Sequence, residues 1–261
     1  MRRLLTSGVI ALWAFSVHVE AQSAVAPTGV LRAAYLAGNP AQAIQDPATG
    51  ATRGTAVDLA NELGRRLGVP VAMSGLAGPA GVIEAVQSGK ADIGFVAYNP
   101  ERVGPVQFSR PYMLVLQTFL VREGSSIKSV ADIDRVNQRI GANRGDSISL
   151  YLGRNLKQAQ RVEITETFPG EAIRMLEAGK VDAFGANRQR LSTALQSASG
   201  LRILPDDLYG VEQTLIVPTG KPEALTVVDQ FLDDVRRSGF LQAAITRSGV
   251  VGIGVFVSAA K

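Results

Sequence analysis

Residues 83–92 read I-E-A-V-Q-S-G-K-A-D, and residues 173–182 read I-R-M-L-E-A-G-K-V-D. Each is an amphipathic helical pattern halted by a glycine (Gly89, Gly179), then a lysine, then an aspartate (Asp92, Asp182) that leads into an apolar run. A glycine just past the last turn takes the left-handed conformation that closes a helix. The pair therefore marks one helix-to-strand step used twice.

Working outward from the first copy, the spacing predicts a strand at 30–35, a helix over 57–67 ended by Gly68, a strand at 70–73, a helix at 82–88 and a strand at 93–97. Around the second copy it predicts strands at 139–142, 162–165 and 181–185, with helices at 147–155, 171–177 and 189–197. Strands alternating with helices give an α/β class, here in two units. The repeat also makes Ala97 and Asn187 counterparts at the carboxyl ends of their strands, where open α/β sheets bind ligands. If those ends face each other, a ligand sits between the two units, a common place for small-molecule sites.

The 261 residues, 46% of them hydrophobic, suffice for two ordinary cores. Met1-Arg2-Arg3 followed by a mostly apolar stretch and Val19-Glu20-Ala21 reads as a secretory signal over residues 1–21, cleaved after Ala21. Its apolar run is interrupted by Thr6, Ser7, Ser16 and His18 and falls short of a membrane span. Cleavage removes His18 and Trp13, so the exported chain holds no His, Cys or Trp. That excludes Ser-His-Asp and Cys-His nucleophile systems and the usual His/Cys zinc sites. No metal and no cofactor is expected, and a freely soluble periplasmic protein fits best. The basic pairs Arg65-Arg66, Arg188/Arg190 and Arg236-Arg237 are scattered among acids without interleaved aromatics, which argues against nucleic acid as a partner.

R-G-T-A-V-D-L-A-N-E-L-G-R-R-L-G-V-P-V (53–71), A-V-Q-S-G-K-A-D-I (85–93), P-E-R (100–102), F-S-R-P-Y (108–112) and G-L-R-I-L-P (200–205) together resemble the extracellular solute-binding proteins of family 3. These are type 2 periplasmic binding proteins that feed polar amino acids and related solutes to ABC importers. The resemblance runs over about 29–248 and implies two lobes, each a mixed sheet flanked by helices, joined by two hinge strands near 112–116 and 213–217. Lobe 1 is expected over 28–114 and 216–248 and lobe 2 over 115–215, with an apolar tail at 249–261. The glycines of that tail have no following helix and do not make a nucleotide loop. Such proteins act as monomers that close on one solute and deliver it to an ABC permease in the inner membrane.

The resemblance also implies site residues. The arginine of the E-R motif, Arg102, is expected to pair with a ligand carboxylate, for which a planar guanidinium offers two parallel donors; its plain alternative is a surface arginine beside Glu101. A strand-end position that often carries Thr falls on Ala97, followed by Tyr98 and Asn99. The acidic position for a ligand ammonium falls on Asn187, and an amide has no charge to offer there. Asp146, in N-R-G-D-S (143–147), either supplies a displaced negative charge or caps a helix with Ser147. Arg144, and also Arg188, would favour an anion near that helix start. The first loop, 35–41, lacks phenylalanines and leaves Tyr35 and Asn39 as contacts. Tyr35 and Tyr98 read equally as ligand-stacking groups or as strand residues that close the core. A Gly-rich loop from Gly75 to Gly81 is expected to form another cleft edge.

The expected function is thus a non-enzymatic receptor for a small carboxylate-bearing solute, an amino acid or a related organic acid. The alternatives are a sensor or accessory protein for a membrane signalling partner and, on the same fold, a dehydratase that uses a carboxyl group such as Glu84, Glu101 or Asp146 as general acid.

Overall fold

The computed structural model describes residues 21–37, 39–46, 48–166 and 169–257, apart from the side chain of Glu101. The signal-peptide reading falls mostly on residues 1–20, outside that set. In chain order the elements are β1 (Leu31–Leu36), β2 (Ile44–Gln45), β3 (Thr52–Arg53), α1 (Thr55–Leu67), β4 (Val71–Leu76), α2 (Gly78–Gln87), β5 (Ile93–Ala97), β6 (Val106–Phe108), β7 (Met113–Arg122), β8 (Arg139–Asn143), α3 (Ser147–Asn155), β9 (Gln160–Ile164), α4 (Gly170–Glu177), β10 (Ala183–Asn187), α5 (Arg188–Leu195), β11 (Leu201–Ile203), β12 (Tyr209–Pro218), α6 (Pro222–Arg237), α7 (Phe240–Ser248) and β13 (Ile253–Val255). Single 3-10 turns lie at Pro100–Arg102 and Val130–Asp132. Among the described residues no helix is long and apolar enough to cross a membrane.

The chain divides into two compact units. Unit 1 takes the described residues up to Met113, Glu212–Gly249 and those from Val255 onward; unit 2 takes Leu114–Val211 and Val250–Gly254. The chain leaves unit 1 at the start of β7 and returns within β12.

In unit 1 the order is β4-β1-β5-β12, with β6 beside β12. β4, β1 and β5 run parallel and β12 antiparallel to β5. α1 presents Ala56, Leu59, Ala60, Leu63 and Leu67 as one buried stripe, and Gly68, at φ 68°, closes it. α2 buries Val82 and Val86 against Ala34, Val96 and Ile216. In unit 2 the order is β7-β10-β8-β9 with β11 beside β7. Here β8, β9 and β10 are parallel and β7 antiparallel to β10. Along β7, Phe119 and Val121 join one core while Leu120 joins the other with Phe184 and Leu191. A strand side chain alternates faces, so the continuous apolar run of β7 serves a sheet covered on both sides.

The repeated aspartates do the same job in each unit. Arg32 donates its backbone N–H, Nε and Nη2 to Asp92 at 2.9, 3.0 and 2.6 Å. Arg139 donates the same three groups to Asp182 at 2.9, 3.2 and 3.2 Å. In both copies the aspartate N–H returns a 2.8 Å bond to the arginine carbonyl. The pair fastens the first residues of two neighbouring parallel strands, at the end opposite the carboxyl-end loops. A carboxylate this covered is tolerable because each oxygen is matched by a charged donor.

One local reading changes, and two gain detail. The glycines of 75–81 do not form a loop: β4 continues through Gly75 to Leu76, and Gly78 and Gly81 lie in α2. Gly75 stands opposite Tyr35, and an added Cβ would lie 3.0 Å from the end of that ring, so a bare backbone is what lets the strand continue. Part of the tail packs as a strand: β13 pairs with β7, and Leu116 N–H bonds Gly252 O at 2.8 Å. The basic pairs are held by neighbouring acids, Arg65 and Arg66 by Glu62 and Arg236 by Asp233.

These ion pairs set an acid response. The Arg65 guanidinium, with Arg66 adding to it against the cost of burial, holds the Glu62 carboxyl down at about 2. Burial alone would raise Asp182, but the Arg139 side chain and N–H outweigh it and its pKa falls below the usual value. Groups lowered in the folded state contribute stability that is complete above their unfolded pKa near 4 and disappears as pH falls through the folded value. The melting temperature should therefore stay level from pH 7 to about 5 and drop between roughly 4.5 and 2. Glu62→Gln should lower it at pH 7 and make the acid fall shallower, as read by calorimetry across pH.

Candidate functional site

At the carboxyl ends of β1, β4 and β5 the loops of unit 1 are fastened by one side chain that the sequence does not advertise. Gln42, fully buried, accepts the Leu36 N–H on Oε1 at 2.9 Å and donates from Nε2 to Phe95 O at 3.2 Å. Its carbonyl accepts the Ala56 N–H at 3.0 Å. Asn39 sits in the same turn and spends its Oδ1 on the Ala41 N–H. Tyr35 is buried over Gly75. Its ring packs in the core at 7% exposure.

Ala97 ends β5 half-buried, opposite Gln213. Tyr98 is 44% exposed, donates its N–H to Glu212 O and meets Phe108 edge-on at 5.4 Å. It also lines an apolar hollow of about 430 Å³ with Val103, Val106, Phe108 and Thr219. Asn99 O accepts the Arg102 N–H at 3.0 Å, which closes the short turn that carries Arg102.

Arg102 is half-buried. Every other half-buried arginine among the described residues is engaged: Arg32, Arg66, Arg122, Arg139, Arg188, Arg190 and Arg236 by carboxylates, Arg202 by carbonyls. Arg102 alone has, among those residues, neither an ion pair nor a side-chain hydrogen bond. A part-covered guanidinium with open donors is an unsatisfied charge that a carboxylate fits.

In unit 2 the carboxyl ends of β8, β9 and β10 carry the other candidates. Asn143, buried, donates to Glu166 O at 2.6 Å and fixes the loop that follows β8. Arg144 pairs with Glu163 at 3.1 Å. Asp146 holds the N-cap position of α3 but its side chain does not cap; it accepts Arg190 Nη1 at 2.8 Å. Neither sequence reading of Asp146 describes that contact. Ser147 opens α3 exposed. Asn187 caps α5, its Oδ1 accepting the Arg190 N–H at 2.8 Å, so Arg190 ties Asn187 and Asp146 together. Arg188 is taken up by Asp207 at 2.7 Å and by the Leu204 and Asp206 carbonyls. Below them Tyr151 and Tyr209 stack at 4.6 Å, and burial raises the Tyr209 phenol. No group of three potential metal-ligating side chains occurs among the described residues.

The family model described as bacterial extracellular solute-binding proteins, family 3, matches residues 31–248. The chain belongs to that family. No curated protein matches it significantly. Among solved structures, this family 3 protein is similar to an amino acid ABC transporter substrate-binding protein from Streptococcus pneumoniae bound to L-arginine, at 23% identity and TM-score 0.64 over 87% of this chain and 97% of that one. It is also similar to the solute receptor for L-cysteine of Neisseria gonorrhoeae, at 22% and 0.64 over 87% and 92%. An ancestral amino acid-binding protein, a precursor of cyclohexadienyl dehydratase, matches at 24% and 0.64 over 85% and 96%. Likeness at this level speaks for the fold. The family 3 chain has the two-lobed type 2 periplasmic-binding-protein architecture, each lobe a mixed sheet flanked by helices, with two connecting strands.

Proposed function

We propose that this protein works in the periplasm as a monomer, captures a small carboxylate-bearing solute, an amino acid or related organic acid, between its two lobes and hands it unchanged to an ABC permease. The observation that carries the reading is the guanidinium of Arg102, uncommitted among the described residues, in the turn that follows β5. Ala97, Tyr98, Asn99, Tyr35 and Asn39 are its companions in lobe 1, and Arg144, Asp146, Ser147 and Asn187 those in lobe 2. Membership of an extracellular solute-binding family supports capture outside the inner membrane. The amino acids named for its structural neighbours support the ligand class.

A bound solute raises the melting temperature by mass action, so a thermal-shift screen tests the proposal directly. At a solute concentration of about 100 times Kd the gain is near 2.7 kcal/mol. Hits should contain a carboxylate, vanish in Arg102→Ala and be recovered chemically intact. Hits confined to amines without a carboxylate would overturn the reading.

A further inference from the structure

The tail lies past residue 248, where the family match ends. α7 is rooted in unit 1 by Leu241, Ala244 and Ile245, all buried, and Gly249, at φ 66°, ends it. From there Val250–Gly254 belong to unit 2, and the described residues from Val255 onward belong again to unit 1. The chain thus passes between the units in the tail as well as in β7 and β12. β10 accompanies β7 only as far as the Asn187–Gln117 pair. One residue before Gln117, the Leu116 N–H bonds Gly252 O at 2.8 Å, and the Phe256 N–H bonds Tyr112 O at 3.0 Å. Residue numbers rise on one strand as they fall on the other, so β13 runs antiparallel to β7 and continues alongside it where β10 stops. The first of these bonds lies wholly within unit 2 and the second wholly within unit 1.

Gly252 seats the tail in unit 2. It holds φ 75°, and an added Cβ would stand 2.5 Å from Arg188 Cβ and 3.1 Å from its Cγ. The Arg188 stem cannot swing aside, because its head is held by Asp207 at 2.7 Å and by the Leu204 and Asp206 carbonyls. An added Cβ at Gly254 would meet nothing within 4 Å. We infer that residues 250–256 are a splint on the connecting strand β7: with β12 on its other side, they hold the stretch 112–116 in a ladder on both flanks and limit how far it bends where the chain passes from unit 1 to unit 2. A strand bonded on both sides changes its backbone angles only by breaking those bonds, and without the tail the Leu116 N–H and the Tyr112 carbonyl would lose theirs. The splint acts in the chain without solute, whatever Arg102 binds.

The test combines amide hydrogen exchange, read residue by residue, with a distance measurement, both without solute. In the unaltered protein the Leu116 and Phe256 amides should be protected. Gly252→Val drives a side chain into Arg188 and should lift the tail, so exchange at Leu116 and Phe256 should accelerate by at least about tenfold while the β10-paired stretch 117–121 keeps its protection. Gly254→Ala should change neither. The sequence holds no cysteine, so Lys90→Cys with Lys180→Cys, both exposed and one in each unit, gives a single pair of spin labels. Their distance distribution should widen in the Gly252→Val background and stay as it was in the Gly254→Ala background.

Where Gly252→Val does not fold, Gly252→Ala places a smaller group at the same point and carries the same comparison. Leu116 and Phe256 amides that exchange freely in the unaltered protein overturn the inference, because the tail is then not seated. Equal exchange in the Gly252 and Gly254 variants does the same. Faster exchange with an unchanged distance distribution also overturns it, since the tail would then pack on β7 without restraining it. None of these outcomes touches the reading of Arg102, which the thermal-shift screen tests separately.

Discussion

Arg102→Ala should weaken binding of the carboxylate solute by about two orders of magnitude while leaving the unliganded protein as stable as before. A fork of two charge-assisted hydrogen bonds, lost from one side only, costs about 3 kcal/mol, which is roughly a hundredfold in Kd. The second half of the expectation follows from the geometry. Among the described residues the guanidinium makes no bond within the protein, so folding should not miss it; by contrast, alanine at Arg188 or Arg139 would strip a carboxylate of its partner. Arg102→Lys keeps the charge but not the planar fork and should fall between, at about tenfold weaker. Arg53, exposed and without an ion pair among the described residues, is the control that should be silent. Calorimetric titration paired with melting of the unliganded variants reads both halves; a melting temperature that falls along with affinity would show the arginine to be structural.

Gly54→Ala carries the largest expected loss of stability. Gly54 holds φ 141°, a conformation that side chains rarely adopt, and an added Cβ would stand 2.6 Å from Gln42 O and 2.9 Å from Ala43 Cα. Both obstacles are backbone, and Gln42 is pinned by its side chain to Leu36 and Phe95. Either the start of α1 or the loop after β1 must move. Strain and overpacking together should cost about 3 kcal/mol, lowering the melting temperature by roughly 6–12 °C for a chain of this size. Gly81→Ala, inside α2 with only Leu76 Cβ at 3.6 Å, should instead stabilise by about 0.5–1 kcal/mol. Opposite signs from two glycines separate steric strain from simple chain entropy. Equal shifts would contradict the account.

The helices that build the frame were legible because their stop signals are local. Gly68, Gly89 and Gly179 each follow an apolar stripe, and each takes a positive φ where the helix ends. The repeated G-K-x-D was legible as well, but the partners of its aspartates, Arg32 and Arg139, were not. They lie 60 and 43 residues earlier in the chain, and only strand pairing brings them alongside. Gly75 misled for a related reason. A glycine-rich stretch reads as a loop until a tyrosine ring from the neighbouring strand is seen to need the space above it. Gln42 gave no signal at all, since an amide in a loop is ordinary until it is buried and both its ends are engaged.

Local sequence determined the alternation of strands and helices, the doubled unit and, through the absence of His, Cys and Trp beyond residue 18, the side-chain chemistry closed to the rest of the chain. These depend on hydrophobic periodicity, backbone preference and composition, which act within a few residues or need no geometry. Tertiary structure decided which charges are cancelled. Asp146 meets Arg190 44 residues away, Arg188 meets Asp207 and Arg144 meets Glu163 19 residues away, each across separate elements. A list of arginines and acids cannot say which of them are neutralised, because Coulomb energy depends on separation and solvent cover rather than on order along the chain. Among the half-buried arginines of the described residues, the open guanidinium of Arg102 is what remains once the fold has matched the others.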